Sequence, residues 1–160
     1  MTETDFRNAR NAHGPAVYRL ALCRTQDPAD AEDVYQEVFL RLWKQETAGW
    51  DGERTKAWLL RTTVNRCADL HRFRLRRPTL PLDAVAELSG ETAEEGTAVW
   101  EAVARLPEKL RIPIHLHYGE GYSSEEIAAL LGVPAATVRT RLHRARARLK
   151  EFLGGNSDEA

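Results

Sequence analysis

The segment "DPADAEDVYQEVFLRLWKQ" places Ala31, Val34, Tyr35, Val38, Phe39, Leu42 and Trp43 at gaps alternating between three and one. That is one wide apolar stripe at helical period. Asp27 ahead of Pro28 supplies an N-cap and a first-turn proline. An earlier helix, roughly 6–24, carries Ala16, Val17, Leu20 and Ala21. After a break at "TAGWDG", the run "TKAWLLRTTVNRCADLHRFRLRRP" predicts a third helix capped by Thr55 and stopped by Pro78. Leu60, Val64, Cys67, His71 and Leu75 mark its apolar face, and Arg61, Asn65, Asp69, Arg72 and Arg76 a polar one.

The periodicity then fails. "RRPTLPLDAVAELSGETAEEGTA" mixes prolines, glycines and acidic residues without a clear repeat and reads as a linker. Beyond it, Pro107 suits a helix start, whereas Pro113 removes an internal helix bond and predicts a kink or a new start. In "EGYSSEEIAALLGVP", Ser123 and Glu126 form a capping box and Gly132 stands at a helix end. Val138, Leu142, Ala145, Leu149 and Phe152 make the stripe of a final helix. The fold class is therefore all-α: two small helical domains joined by a flexible acidic linker, with expected bounds 1–78, 79–96 and 97–160.

Charge sharpens this division. The 160 residues have a formal net charge of -1, but as a cancellation between blocks. Residues 51–78 hold eight basic and three acidic side chains, whereas 79–101 hold six acidic ones and no lysine or arginine. From Arg139 to Lys150 there are five arginines, a lysine and a histidine. Such segregation speaks of partners rather than of fold. No long apolar run predicts membrane insertion, and the N-terminus lacks the pattern of a secretory signal. Cys23 and Cys67 read as reduced core thiols of a cytoplasmic protein. Zinc-site spacing is lacking, so no metal or other cofactor is expected. No acid–base pair, nucleophile elbow or phosphate loop suggests an enzyme.

Ala128, Gly132 and Val138 fall where two steeply crossing helices need a small residue, a left-handed turn and an apolar anchor. This is a helix-turn-helix pattern, whose second helix enters the DNA major groove. With the apolar stripe inward, Arg139, Thr140, His143 and Arg144 are exposed near the helix start, where base edges are reached. Arg141, Arg146 and Arg148 suit phosphates. In the first half, Trp50, Trp58 and Phe73 are interleaved with arginines, a combination suited to unpaired bases. Double-strand and single-strand surfaces in one chain suit DNA at the point where it opens.

The runs "DAEDVYQEVFLRLWK", "KAWLLRTTVNRCADLHR" and "LPEKLRIPIHLHYGEGYSSEEIAALLGVPAATVRTRLHRARARLK" closely resemble the extracytoplasmic-function (group 4) sigma factors of bacterial RNA polymerase. The resemblance covers about residues 10–153, in the family's order and spacing. It implies a sigma-2-like domain that binds the polymerase and recognises and melts the promoter -10 element, and a sigma-4-like domain that reads the -35 element. The implied face for the clamp helices of the largest core-polymerase subunit is Asp30, Asp33, Gln36, Glu37, Leu40 and Arg41. The implied -10 residues are Trp50, Arg54, Arg61, Asn65, Arg66, Asp69 and Arg72, with the 50–54 loop holding a flipped base. The implied -35 residues are Arg139, Thr140, Arg141, His143, Arg144 and Arg148. The flap and an anti-sigma factor are further implied partners, with control supplied by another polypeptide because no further C-terminal domain is expected. In relatives the linker threads toward the polymerase's nucleic-acid channels, which would give its acidic residues the role of a stand-in for nucleic acid. The residues leave two competing readings: a free-standing helix-turn-helix regulator, and a helical adaptor whose basic helix meets an acidic surface.

Overall fold

The computed structural model describes residues 1–73 and 94–157. The chain divides into two compact units, Met1–Thr79 and Leu80–Ala160. Among the described residues every regular element is helical.

In the first unit, α1 (Glu3–Thr25) begins at a capping box, with Thr2 accepting from the Asp5 amide and Asp5 from the Thr2 amide. It ends at Gln26, left-handed at φ 56°. α2 (Pro28–Trp43) starts as expected, with the Asp27 carboxylate accepting from the Ala29 amide at 2.9 Å. The three helices pack mutually: Val17, Leu20 and Leu22 of α1 meet Val34, Val38 and Leu42 of α2 and Leu59 and Leu60 of α3 (Gly52–Phe73) in a buried core. Each such leucine contributes about 1.5–3 kcal/mol by leaving water. Gly14 permits the close approach of α1 to α2, because a Cβ there would stand 2.9 Å from the Tyr35 hydroxyl.

Three expectations change here. The cap of α3 is Asp51, whose carboxylate accepts from the Arg54 amide at 2.8 Å, so the helix begins at Gly52 and Thr55 lies inside it. The Thr55 hydroxyl instead donates back to the Asp51 carbonyl. Trp43, assigned to the buried stripe of α2, is 45% exposed and packs edge-on against Phe6 at the rim. Asp30, assigned to an exposed partner face, is 2% exposed. Asp30 and the equally buried Arg24 act electrostatically on the Cys67 thiol, so the first turn of α2 faces the interior.

In the second unit, α4 (Glu94–Ala104) begins inside the segment expected to be linker. α5 (Glu108–Ile114) opens after Pro107 and runs through Pro113 without breaking. The chain instead loosens one residue later, into a π-helical turn (His115–Gly119). The Tyr122 amide donates across this region to the Leu116 carbonyl. A proline deletes one helix bond, and a widened turn beside it accommodates the mismatch. α6 (Ser124–Leu131) has the expected Ser123–Glu126 capping box and ends at Gly132, φ 71°. α7 (Ala135–Ser157) follows, with Val138, Leu142 and Ala145 buried against Ile127 and Leu130 of α6 and elements of α4 and α5.

Candidate nucleic-acid interface

The crossing of α6 and α7 arises from the local sequence. The Gly132 amide closes α6 on the Ala128 carbonyl at 2.8 Å, and the left-handed glycine redirects the chain into α7. Val138 then anchors α7 with no exposed surface, turning Arg139, Thr140, His143, Arg144 and Arg148 outward. Arg141 is half-buried. Two of the cations have partners that the sequence did not indicate. Arg139 lies 3.4 Å from the Glu125 carboxylate of α6, and Arg146 Nε donates to the Tyr118 hydroxyl at 2.9 Å. Tyr118 is itself 57% exposed and lies under the Arg146 guanidinium. Neither contact leaves a mark in the primary structure, since 14 and 28 residues separate the partners.

In the first unit, the loop before α3 holds Trp50 half-buried, its ring 6.1 Å from Trp58 and 4.6 Å beneath the Arg54 guanidinium. A recess of about 610 Å³ opens beside it, lined among others by Asn8, His13, Thr47, Trp50 and Thr55. His13 is held below the ordinary imidazole range by burial and then by the Lys56 charge, which favours its neutral form. Arg61, Asn65 and Asp69 are exposed at four-residue steps along α3. The backbone of Arg72 is helical, and its side chain lies outside the described ones, as do Leu75 and Arg76. Arg66 departs from this polar row. It is half-buried, and its Nε lies 3.2 Å from the Glu37 carboxylate of α2.

That ion pair joins two residues expected on separate surfaces. Glu37 also receives a hydrogen bond from Arg41 at 3.0 Å, so Arg41, Glu37 and Arg66 form a charged strip from α2 onto α3. Beside it, Asp33 and Gln36 are exposed, Gln36 donating to Glu32, and Leu40 is 54% exposed. An apolar side chain left in water on the polar side of a well-packed helix marks a contact surface once its neighbours also line up.

Comparison with known proteins gives this geometry its family. Residues 10–77 match the sigma-70 region 2 family, and residues 97–149 match sigma-70, region 4. The ECF RNA polymerase sigma factor SigM of Mycobacterium tuberculosis is 35% identical over 144 residues, spanning 89% of this chain and 74% of its own. This chain belongs to the ECF sigma factors. SigE of Mycolicibacterium smegmatis is 34% identical over 157 residues, which is 92% of this chain but only 61% of that protein. Among solved structures, the sigma factor RpoE in complex with the anti-sigma factor NepR from Bartonella quintana matches with a TM-score of 0.73. Its identity is 26%, with 95% of this chain and 98% of that one covered. CnrH in complex with the cytosolic domain of CnrY matches at 0.69 and 29% identity, covering 97% of this sigma factor and 91% of that chain.

Within the sigma factor, Cys23 and Cys67 are free and buried, and burial pushes the Cys67 thiol up to about 12. Such a thiol stays protonated and unreactive. No described helix is long and apolar enough to cross a membrane.

Proposed function

We propose that this sigma factor binds bacterial core RNA polymerase in the cytoplasm and directs initiation at promoters bearing -35 and -10 elements, performing no catalysis of its own. The observation that carries the reading is the pairing, in one chain, of a duplex-reading helix with a separate aromatic and cationic surface. α7 would read the -35 element through Arg139, Thr140, His143 and Arg144, with Arg141 and Arg148 on phosphates; one bidentate arginine–guanine pair discriminates by about 1–3 kcal/mol. Trp50 and Arg54, with the recess beside them and the Arg61, Asn65, Asp69 and Arg72 row, would hold the unpaired -10 strand. Stacking on an aromatic ring offsets the few kcal/mol needed to unstack a base.

The polymerase would dock on α2 through Asp33, Gln36, Glu37, Leu40 and Arg41, with Asp30 acting from the interior rather than by contact. In two solved relatives the sigma factor is caught with an anti-sigma factor or a cytosolic regulator domain. The same kind of inhibitor, covering the exposed Leu40 and Trp43 region, would hold this chain inactive. The acidic residues Asp83 and Glu87 of the expected linker lie outside the described residues.

The test is transcription of a genomic library by purified core polymerase, with and without the sigma factor, mapping RNA 5′ ends. Initiation that depends on the protein, from sites sharing two elements, is the expected result. Silence from polymerase, combined with tight binding of the protein alone to a palindromic duplex, would replace this reading by the free-standing regulator.

A further inference from the structure

Burial of Val138, Leu142 and Ala145 fixes how α7 is turned. At about 100° per residue, Thr137, Arg141, Arg144 and Arg148 then occupy one flank, and Arg139, His143, Arg146 and Lys150 the other. The two flanks differ chemically. On the second, Arg139 faces the Glu125 carboxylate and Arg146 is held by the Tyr118 hydroxyl. The first opens onto a groove of about 380 Å³ lined by Lys109, Ala136, Thr137, Thr140, Arg141 and Arg144. Three cations from two different helices and two hydroxyls line it, and none of these residues is acidic.

We propose that this groove seats the sugar–phosphate backbone of one DNA strand, and that Lys109, outside the helix-turn-helix, is one of its phosphate contacts. The inference rests on the proposed duplex-reading role of α7. Like charges gathered around a groove repel one another, and an anion between them relieves that cost. Threonine hydroxyls are also ordinary phosphate donors. Arg141, Arg144 and Arg148 carry the cationic line along the flank in steps of about 4.5–6 Å, a row that suits a string of phosphates better than one isolated anion. Lys109 projects from a fixed base, because its neighbours Leu110, Arg111 and Ile112 are buried and the Arg111 guanidinium donates to the Leu106 carbonyl at 2.7 Å. An exposed lysine on a well-anchored helix delivers charge to a definite place while specifying no base.

The experiment is a salt titration of binding between the full-length chain and a fluorescent random-sequence duplex, by anisotropy, for the parent, Lys109→Ala, Lys109→Arg and Arg141→Ala. One phosphate contact contributes about 0.9 to the slope of log K against log salt. Lys109→Ala is expected to lower the slope by about that amount, as is Arg141→Ala, and Lys109→Arg to restore it. The affinity ratio of parent to Lys109→Ala would then shrink about threefold between about 50 and 200 mM salt. An unchanged slope for Lys109→Ala beside a reduced one for Arg141→Ala overturns the role of Lys109 and leaves α7 as a DNA reader. No binding by the parent even at low salt overturns the duplex-reading role and this inference with it.

Discussion

The two basic helices, α3 and α7, use arginine in opposite ways. On α7 the buried anchors are small and few, Val138, Leu142 and Ala145, and the helix carries its cations outward on both flanks. On α3 a larger apolar face is fixed into a three-helix core, one arginine is tied to α2 through Glu37, and an aromatic pair sits at the N-terminal end. A helix that enters a duplex groove needs bare charge on a rigid rod, since the DNA supplies the complementary shape. A surface that holds unpaired strand must supply its own shape. Aromatic rings and a recess do that, with charge secondary.

The sharpest way to break the comparison is to remove the rigidity of one helix alone. Leu142→Ala deletes a side chain that is 1% exposed, and a cavity of that kind costs about 2–5 kcal/mol. For a unit this small that approaches the whole stability. The expected outcome is loss of duplex binding, with the amide resonances of 124–152 collapsing while those of 3–70 hold their positions.

Next in size, Trp50→Ala removes a stacking face worth about 1–3 kcal/mol per base. Transcription from duplex promoters should fall by about tenfold or more, whereas a template already mismatched at the -10 region should lose much less. Duplex binding by α7 should be untouched. Equal losses on both templates would show that Trp50 serves only to pack against Trp58.

Much of this contrast was legible in the sequence. Short-range chemistry wrote the boundaries: Asp27–Pro28, the Ser123–Glu126 box and Gly132 all act within one turn of where they stand, and all appear as expected. What escaped were choices between local and distant solutions. Thr55 and Asp51 can both cap α3, and the carboxylate at the earlier position prevails. Asp30 looked solvent-facing by its charge, but the first turn of α2 points at α1 and α3, and only the packed core reveals that. Tyr118 and Glu125 lie on other elements, so their hold on Arg146 and Arg139 has no sequence spacing to betray it. Pro113 was placed correctly as a disturbance, but the disturbance emerges as a π turn one residue later rather than as a break.

A smaller effect separates the core beneath α3 from the surface above it. The Cys67 thiol is pushed up to about 12 by burial, against 9.0 for an ordinary thiol. Above pH 9 the unfolded chain gives up this proton and the folded chain keeps it, so unfolding gains on folding. Stability from this group is therefore complete below about pH 9 and is lost as the pH rises toward 12. Between pH 8 and pH 10, urea unfolding of the parent should lose about 1.4 kcal/mol more than that of Cys67→Ala. Parallel pH profiles for the two proteins would count against it.

The smallest effect decides to which surface Arg66 belongs. Its partner Glu37 is 37% exposed, so solvent screens the pair, and Glu37→Gln should cost under about 1 kcal/mol in stability. The functional consequence is larger than the energetic one. If the Arg41–Glu37–Arg66 strip is part of the polymerase-docking face, Glu37→Gln and Arg66→Gln weaken assembly with core polymerase to similar extents, because each releases the other's side chain from its fixed position. The preference among -10 sequences, read from the mapped start sites, then stays as it is in the parent. If Arg66 instead faces the promoter, Arg66→Gln changes that preference and leaves the polymerase titration alone, while Glu37→Gln frees the guanidinium and strengthens binding to melted templates. The ion pair favours the first outcome, since a guanidinium already neutralised by a carboxylate has little left to offer a phosphate or a base.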